Sequence, residues 1–161
     1  MINENRLLES FLRYVQVDSP TKEEKQLAQM LKEEMEQLGL EARIDGAGEI
    51  SGSNTGNLIG FLKGRPEGEP ILFSAHMDTV SPSRGVKPQV RDGAVYSDGT
   101  TILGGDDKAG IAAIMEAIRV AIENEIPHNG IEVVFTIFEE GGLKGSANLD
   151  YSMLRSKKAF V

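Results

Sequence analysis

The chain has 161 residues, 40% of them apolar, and 17 Lys and Arg against 25 Asp and Glu leave a formal net charge of −8. The length suits one compact domain, and an acidic chain without a Lys/Arg run lacks the clustered cations that nucleic-acid binding requires. With no cysteine, disulfides, thiolate metal sites and a Cys nucleophile are excluded, so any metal must be held by His and carboxylates.

Met1-Ile2-Asn3-Glu4-Asn5-Arg6 has no basic region followed by an apolar run. No stretch approaches the ~18 apolar residues of a membrane span, so a soluble, cytoplasmic chain with no membrane partner is expected. From Asn3 to Val17, Leu7, Leu8, Phe11, Leu12 and Val15 share one helical face, and Asp18-Ser19-Pro20 ends that helix. Thr21 with Glu24 has the form of a capping box, and Leu27, Met30, Leu31, Met35 and Leu38 continue a second helix to Gly39. Leu40 to Asp45 reads as a short strand, Gly46 to Gly56 as a glycine- and serine-rich loop, and Asn57 to Leu62 as a strand closed by Lys63-Gly64-Arg65-Pro66.

Ile71 to Ala75 is a continuous apolar run, predicted to be a buried central strand that delivers His76-Met77-Asp78 at its C-terminal end. Asp92-Gly93 between Val90 and Val95-Tyr96 signals a hairpin. Lys108 to Asn124 is an Ala-rich helix, and Pro127-His128-Asn129-Gly130 reads as a surface turn that offers His128 no ligand role. Ile131 to Phe138 is a second apolar strand ending in Glu139-Glu140, Leu143 to Leu154 is a short helix with irregular flanks, and Lys157 to Val161 opens another strand. The class is α/β, with a mixed, centrally parallel sheet flanked by helices.

Three segments put imidazole or carboxylate groups at strand ends or a helix start: His76-Met77-Asp78, Gly104-Gly105-Asp106-Asp107-Lys108 and Glu139-Glu140-Gly141-Gly142. Each alone has an ordinary structural explanation: a strand-end His–Asp pair, an Asp helix cap, a solvated Glu pair. Together they suit a borderline cation such as zinc, which takes imidazole nitrogen and carboxylate oxygen, and a carboxylate between two cations would offset their repulsion. In an extended segment His76 and Asp78 point to the same side, so the Asp78 side chain is expected to accept the proton of the distal imidazole nitrogen.

Ser74-Ala75-His76-Met77-Asp78-Thr79-Val80, Leu103-Gly104-Gly105-Asp106-Asp107-Lys108-Ala109-Gly110 and Phe138-Glu139-Glu140-Gly141-Gly142 closely resemble the dinuclear zinc exopeptidases related to carboxypeptidase G and aminoacylase. Tyr96 to Leu103 and Gly145-Ser146-Ala147 are similar to the peptidase T-like (tripeptidase) branch, in its subgroup with a short segment between the His and Asp motifs. The resemblance implies that His76 is a ligand of one zinc with Asp78 behind it, Asp106 bridges two metals, Glu140 binds the other zinc, and Glu139 is the general base. It also implies a cis peptide between Asp106 and Asp107. Cobalt or manganese would be substitutes for zinc, and short peptides with a free N-terminus the substrates, with N-acyl amino acids as the alternative class.

Family members carry a further carboxylate ligand and a final His ligand beyond the point matched by Val161, and an inserted lid domain through which they are often homodimeric. Residues 1–161 are therefore expected to be the N-terminal portion of a catalytic domain, truncated at Val161, leaving each zinc one protein ligand short. The rival expectation is a split half that binds metal weakly without peptidase activity. A magnesium-dependent phosphate enzyme would leave His76 unexplained and lacks a phosphate loop.

Overall fold

The computed structural model describes every residue except Glu67. Its elements in order are α1 (Glu4–Val15), α2 (Lys25–Gln37), β1 (Glu41–Ile44), α3 (Ala47–Ser51), β2 (Leu58–Arg65), β3 (Ile71–His76), β4 (Gln89–Arg91), β5 (Ala94–Tyr96), α4 (Gly105–Glu123), β6 (His128–Thr136), α5 (Lys144–Ala147), a 3-10 turn at Tyr151–Met153, and β7 (Ala159–Phe160). A five-stranded sheet has the order β1-β2-β6-β3-β7, and β4 and β5 form a separate hairpin. β3 is parallel to both β6 and β7, whereas β1 and β2 add antiparallel pairs on the other side. The α/β class and the mixed sheet are as the alternation of segments predicts. The middle strand, however, is β6 and not β3.

Alternation along the strands sends side chains to two faces, and both are covered. Leu58, Ala75, Ile131, Val133 and Phe135 pack with Leu27, Leu31 and Met35 of α2 and Ile111, Met115 and Ile118 of α4 in the main core. Ile59, Leu72 and Val134 face the other way, under Leu149, Met153 and Leu154. Burial on both faces is why Ile131 to Phe138 is mostly apolar and does not alternate with polar residues. The one charge in it, Glu132, is buried on the second face and accepts backbone N–H bonds from Arg155 and Ser156 at 2.8–3.1 Å.

Asn3 caps α1, its side chain accepting from the Arg6 N–H at 3.1 Å. Arg6 then crosses to α4, donating to buried Glu116 from Nε at 2.7 Å and Nη2 at 2.9 Å, and pairs with Glu123 as well. Two local expectations are corrected. The Gly46 to Gly56 segment contains the single-turn helix α3, stabilised by Asp45 accepting from the Ala47 N–H at 3.0 Å. His128 begins β6, paired across from Arg65, because the strand starts three residues before Ile131, through the expected turn.

The bond from Arg6 holds the Glu116 carboxyl below its ordinary value, against the opposing effect of burial. A carboxylate lowered in the folded state stabilises above its unfolded pKa and loses that contribution as pH falls through the folded one. Glu116→Gln should therefore cost about 1.5–3 kcal/mol in urea unfolding at pH 7. The difference from the unmodified chain should close as pH falls below the ordinary glutamate value of 4.5.

Candidate metal centre

The three motif segments meet at one edge of the sheet. β3 and β6 run in parallel with His76 opposite Thr136, so the residues that follow each strand emerge together. α4 returns from that same edge. Asp106 and Asp107, at its head, have non-helical backbone angles and are joined by a cis peptide, as the family resemblance implies. Asp107 turns inward to accept from the Gly110 N–H at 3.1 Å, which leaves the Asp106 side chain 85% exposed.

His76 is buried, and its two ring nitrogens have different surroundings. Nδ1 lies 2.8 Å from the backbone carbonyl of Asp78. A carbonyl only accepts, so Nδ1 carries a proton, and in the neutral ring the lone pair belongs to Nε2. Nε2 faces Asp106 Oδ1 at 3.0 Å and Glu139 Oε2 at 3.9 Å. One ligand atom each from His76, Asp106 and Glu140 lie within 4.8 Å of one another. Burial alone would lower the imidazole pKa, but hydrogen bonding with Asp78 and Asp106 outweighs it and raises the value to about 9. Glu140 is exposed, yet partial loss of hydration pushes its carboxyl up, helped by the negative charges of Asp106 and Glu139.

The expectation that the Asp78 side chain takes the imidazole proton is corrected: the backbone carbonyl of the same residue takes it. The Asp78 carboxylate is 3.6 Å from Nδ1, and the carbonyl is the closer acceptor. The fully buried carboxylate instead accepts from the Glu139 N–H at 2.8 Å, the Glu140 N–H at 3.2 Å and the Thr21 hydroxyl at 2.8 Å. Burial opposes ionisation here, yet these donors and His76 hold the carboxyl below its ordinary range. Asp78 thus clamps the turn carrying both glutamates to the end of β3.

Two further residues support that turn. Asn57, wholly buried, accepts from the Ile137 N–H at 3.0 Å and donates to Asp45 at 2.8 Å and to the Gly145 carbonyl at 2.9 Å. A Cβ on Gly145 would lie 2.0 Å from the Ile137 carbonyl oxygen, so only glycine permits this approach. Phe138, with φ of 50°, has its N–H held by buried Glu24 at 3.0 Å. Glu24 and Thr21 therefore do not form the capping box expected of them. Glu24 makes no side-chain cap to α2, because its carboxylate is spent on Lys22, Phe138 and Ser53. Nothing local in sequence marks Asn57 or Glu24 as supports of the site.

The donor set, one imidazole nitrogen with carboxylate oxygens and no thiolate, suits a divalent cation of zinc or cobalt type. Residues 57–160 match the model of peptidase family M28. The chain belongs to peptidase family M28. Metal ions are used in this family, and the cluster of His76, Asp106 and Glu140 is where the M28 chain could hold them. It is 49% identical to the uncharacterized protein YqjE of Bacillus subtilis, over all of this chain and 43% of that protein. It is 32% identical to peptidase T of Salmonella typhimurium, over 98% of this chain and 47% of that one. A crystal structure of a Staphylococcus aureus tripeptidase superposes with a TM-score of 0.95 and 43% identity, covering 99% of this chain and 43% of that one. The M28 chain thus spans less than half the length of these relatives. Among its described residues no helix is long and apolar enough to cross a membrane.

Asp78→Asn keeps one acceptor oxygen but turns an amide toward a backbone N–H. The urea midpoint should fall by the equivalent of about 1–3 kcal/mol at an unchanged m-value. An unchanged midpoint would mean that the glutamate turn is held by something else.

Proposed function

We propose that this chain carries the water-activating portion of a peptidase T-like metallopeptidase that releases residues from the N-terminus of short peptides such as tripeptides. Residues 1–161 would be the N-terminal portion of its catalytic domain. The observation that carries this reading is the convergence of His76, Asp106 and Glu140 ligand atoms within 4.8 Å of one another, beside Glu139. In this reading zinc is the metal, His76 would hold one ion, Glu140 would hold a second, and Asp106 would serve both. When bound, the ions supply positive charge that acidifies a water and polarises the peptide carbonyl.

Glu139 is the proton carrier. Its carboxylate accepts a proton from the attacking water and returns it to the amine nitrogen as the peptide C–N bond breaks. The Glu139 side chain is 36% exposed, which leaves room for water and peptide, while its own N–H is tied to Asp78. The carbonyl of Asp78 holds the His76 ring in the orientation that turns Nε2 toward the cluster. Coverage of only 43% of the tripeptidase favours a second reading, in which this portion holds a cation but has no turnover alone.

The test is hydrolysis of a tripeptide panel by the chain with added zinc or cobalt, alongside variants. Glu139→Gln should keep metal and lose at least about 100-fold in turnover, and Asp106→Ala should lose metal. Metal uptake without hydrolysis would support the second reading. Normal hydrolysis by both variants would overturn the assignment of these residues.

A further inference from the structure

The segment between α1 and α2, Val17 to Glu24, touches all three motif segments from behind. The Val17 carbonyl accepts from the buried Lys108 ammonium at 2.7 Å, two residues beyond Asp106. Ser19 donates from Oγ to the Met77 carbonyl at 2.7 Å and accepts at its own carbonyl from the Thr79 N–H at 3.0 Å, bracketing Asp78. Pro20 and Thr79 form a parallel bridge there. Thr21 donates to the Asp78 carboxylate, and Glu24 accepts from the Phe138 N–H, next to Glu139. Ser19, Glu24, Asp78, Thr79 and Lys108 are all at most 1% exposed, so these bonds are shielded from competing water.

We infer that Val17 to Glu24 is a strap that fixes the spacing of the cation-binding groups, with Thr21 and Glu24 as positioning residues acting through Asp78 and Phe138. The inference rests on the cation reading above. Its physical basis is that His76, Asp106 and Glu140 sit on separate segments, and groups that hold ligands in place commonly govern metal affinity by about 10–100-fold. Neither Thr21 nor Glu24 faces the cluster itself: Thr21 reaches it through the Asp78 clamp, and Glu24 through the backbone that precedes Glu139. The strap enters from α1 and leaves into α2, two helices packed in the main core, so its ends are anchored independently of the site.

The test uses the 161-residue chain with Thr21→Val, Thr21→Ser and Glu24→Gln, reading backbone amide exchange without metal and cobalt(II) titration by visible absorption. Thr21→Val keeps the shape of threonine and removes the donor; Thr21→Ser keeps the donor. Thr21→Val should speed exchange at Glu139 and Glu140, and Glu24→Gln at Phe138, by about tenfold or more, while amides inside α4 and β6 keep their rates. Cobalt should bind these two variants about 10–100-fold more weakly, with the cobalt spectrum altered, and Thr21→Ser should recover both readouts to within a few-fold. Unchanged exchange at the three amides would overturn the inference. So would faster exchange with wild-type cobalt affinity, which would leave the cation reading standing. A wild-type chain that takes up no cobalt would remove the cation reading, and this inference with it.

Discussion

Two parallel strands placed side by side cannot be joined by a tight turn, because the chain must first travel back to the end at which it started. In this molecule the return is made by α4, between β3 and β6. A helix that returns antiparallel to its strands must begin at their C-terminal edge. That constraint brings the head of α4, with Asp106, to the edge where β3 delivers His76 and β6 delivers the glutamates. The convergence of three motifs spread over more than sixty residues thus follows from the crossover, with no separate device needed to gather them.

The carboxylates divide into two populations by what surrounds them. Asp78, Glu24 and Asp45 are buried and satisfied largely by backbone N–H groups, so the cost of dehydrating a charge is offset by charge-assisted hydrogen bonds. They are girders. Asp106 and Glu140 are exposed, and only His76 among the donors of the cluster is buried. Acidic residues of one chemical type therefore do opposite work, the buried ones holding backbone and the exposed ones facing solvent around a single imidazole.

Much of this was legible because its causes are local. Leu27, Leu31 and Met35 repeat at helical spacing, and α2 is where they predict it; Ile71 to Ala75 and Ile131 to Phe138 show the apolar runs of strands covered on both faces. The three motifs, and the family they resemble, were visible in the same way. What escaped depends on distant partners. Thr21 and Glu24 carry the spacing of a capping box, yet their partners Asp78 and Phe138 lie 57 and 114 residues away, which no local rule can weigh. Asn57 opens a predicted strand and Gly145 lies in a predicted short helix, and neither reading shows that the fold brings both to Ile137. The strand order was likewise hidden, since two apolar runs of similar character do not reveal which lies in the middle of the sheet.

The reach of the strap also has a temporal side. During synthesis Glu24 leaves the ribosome long before Phe138, its partner 114 residues later, has been made, and Thr21 waits 57 residues for Asp78. Contacts so far apart along the chain carry a large loop-closure cost and form after the local helices. The cluster can thus gather its donors only once β6 has docked beside β3, so that pairing these two strands and assembling the site are one step.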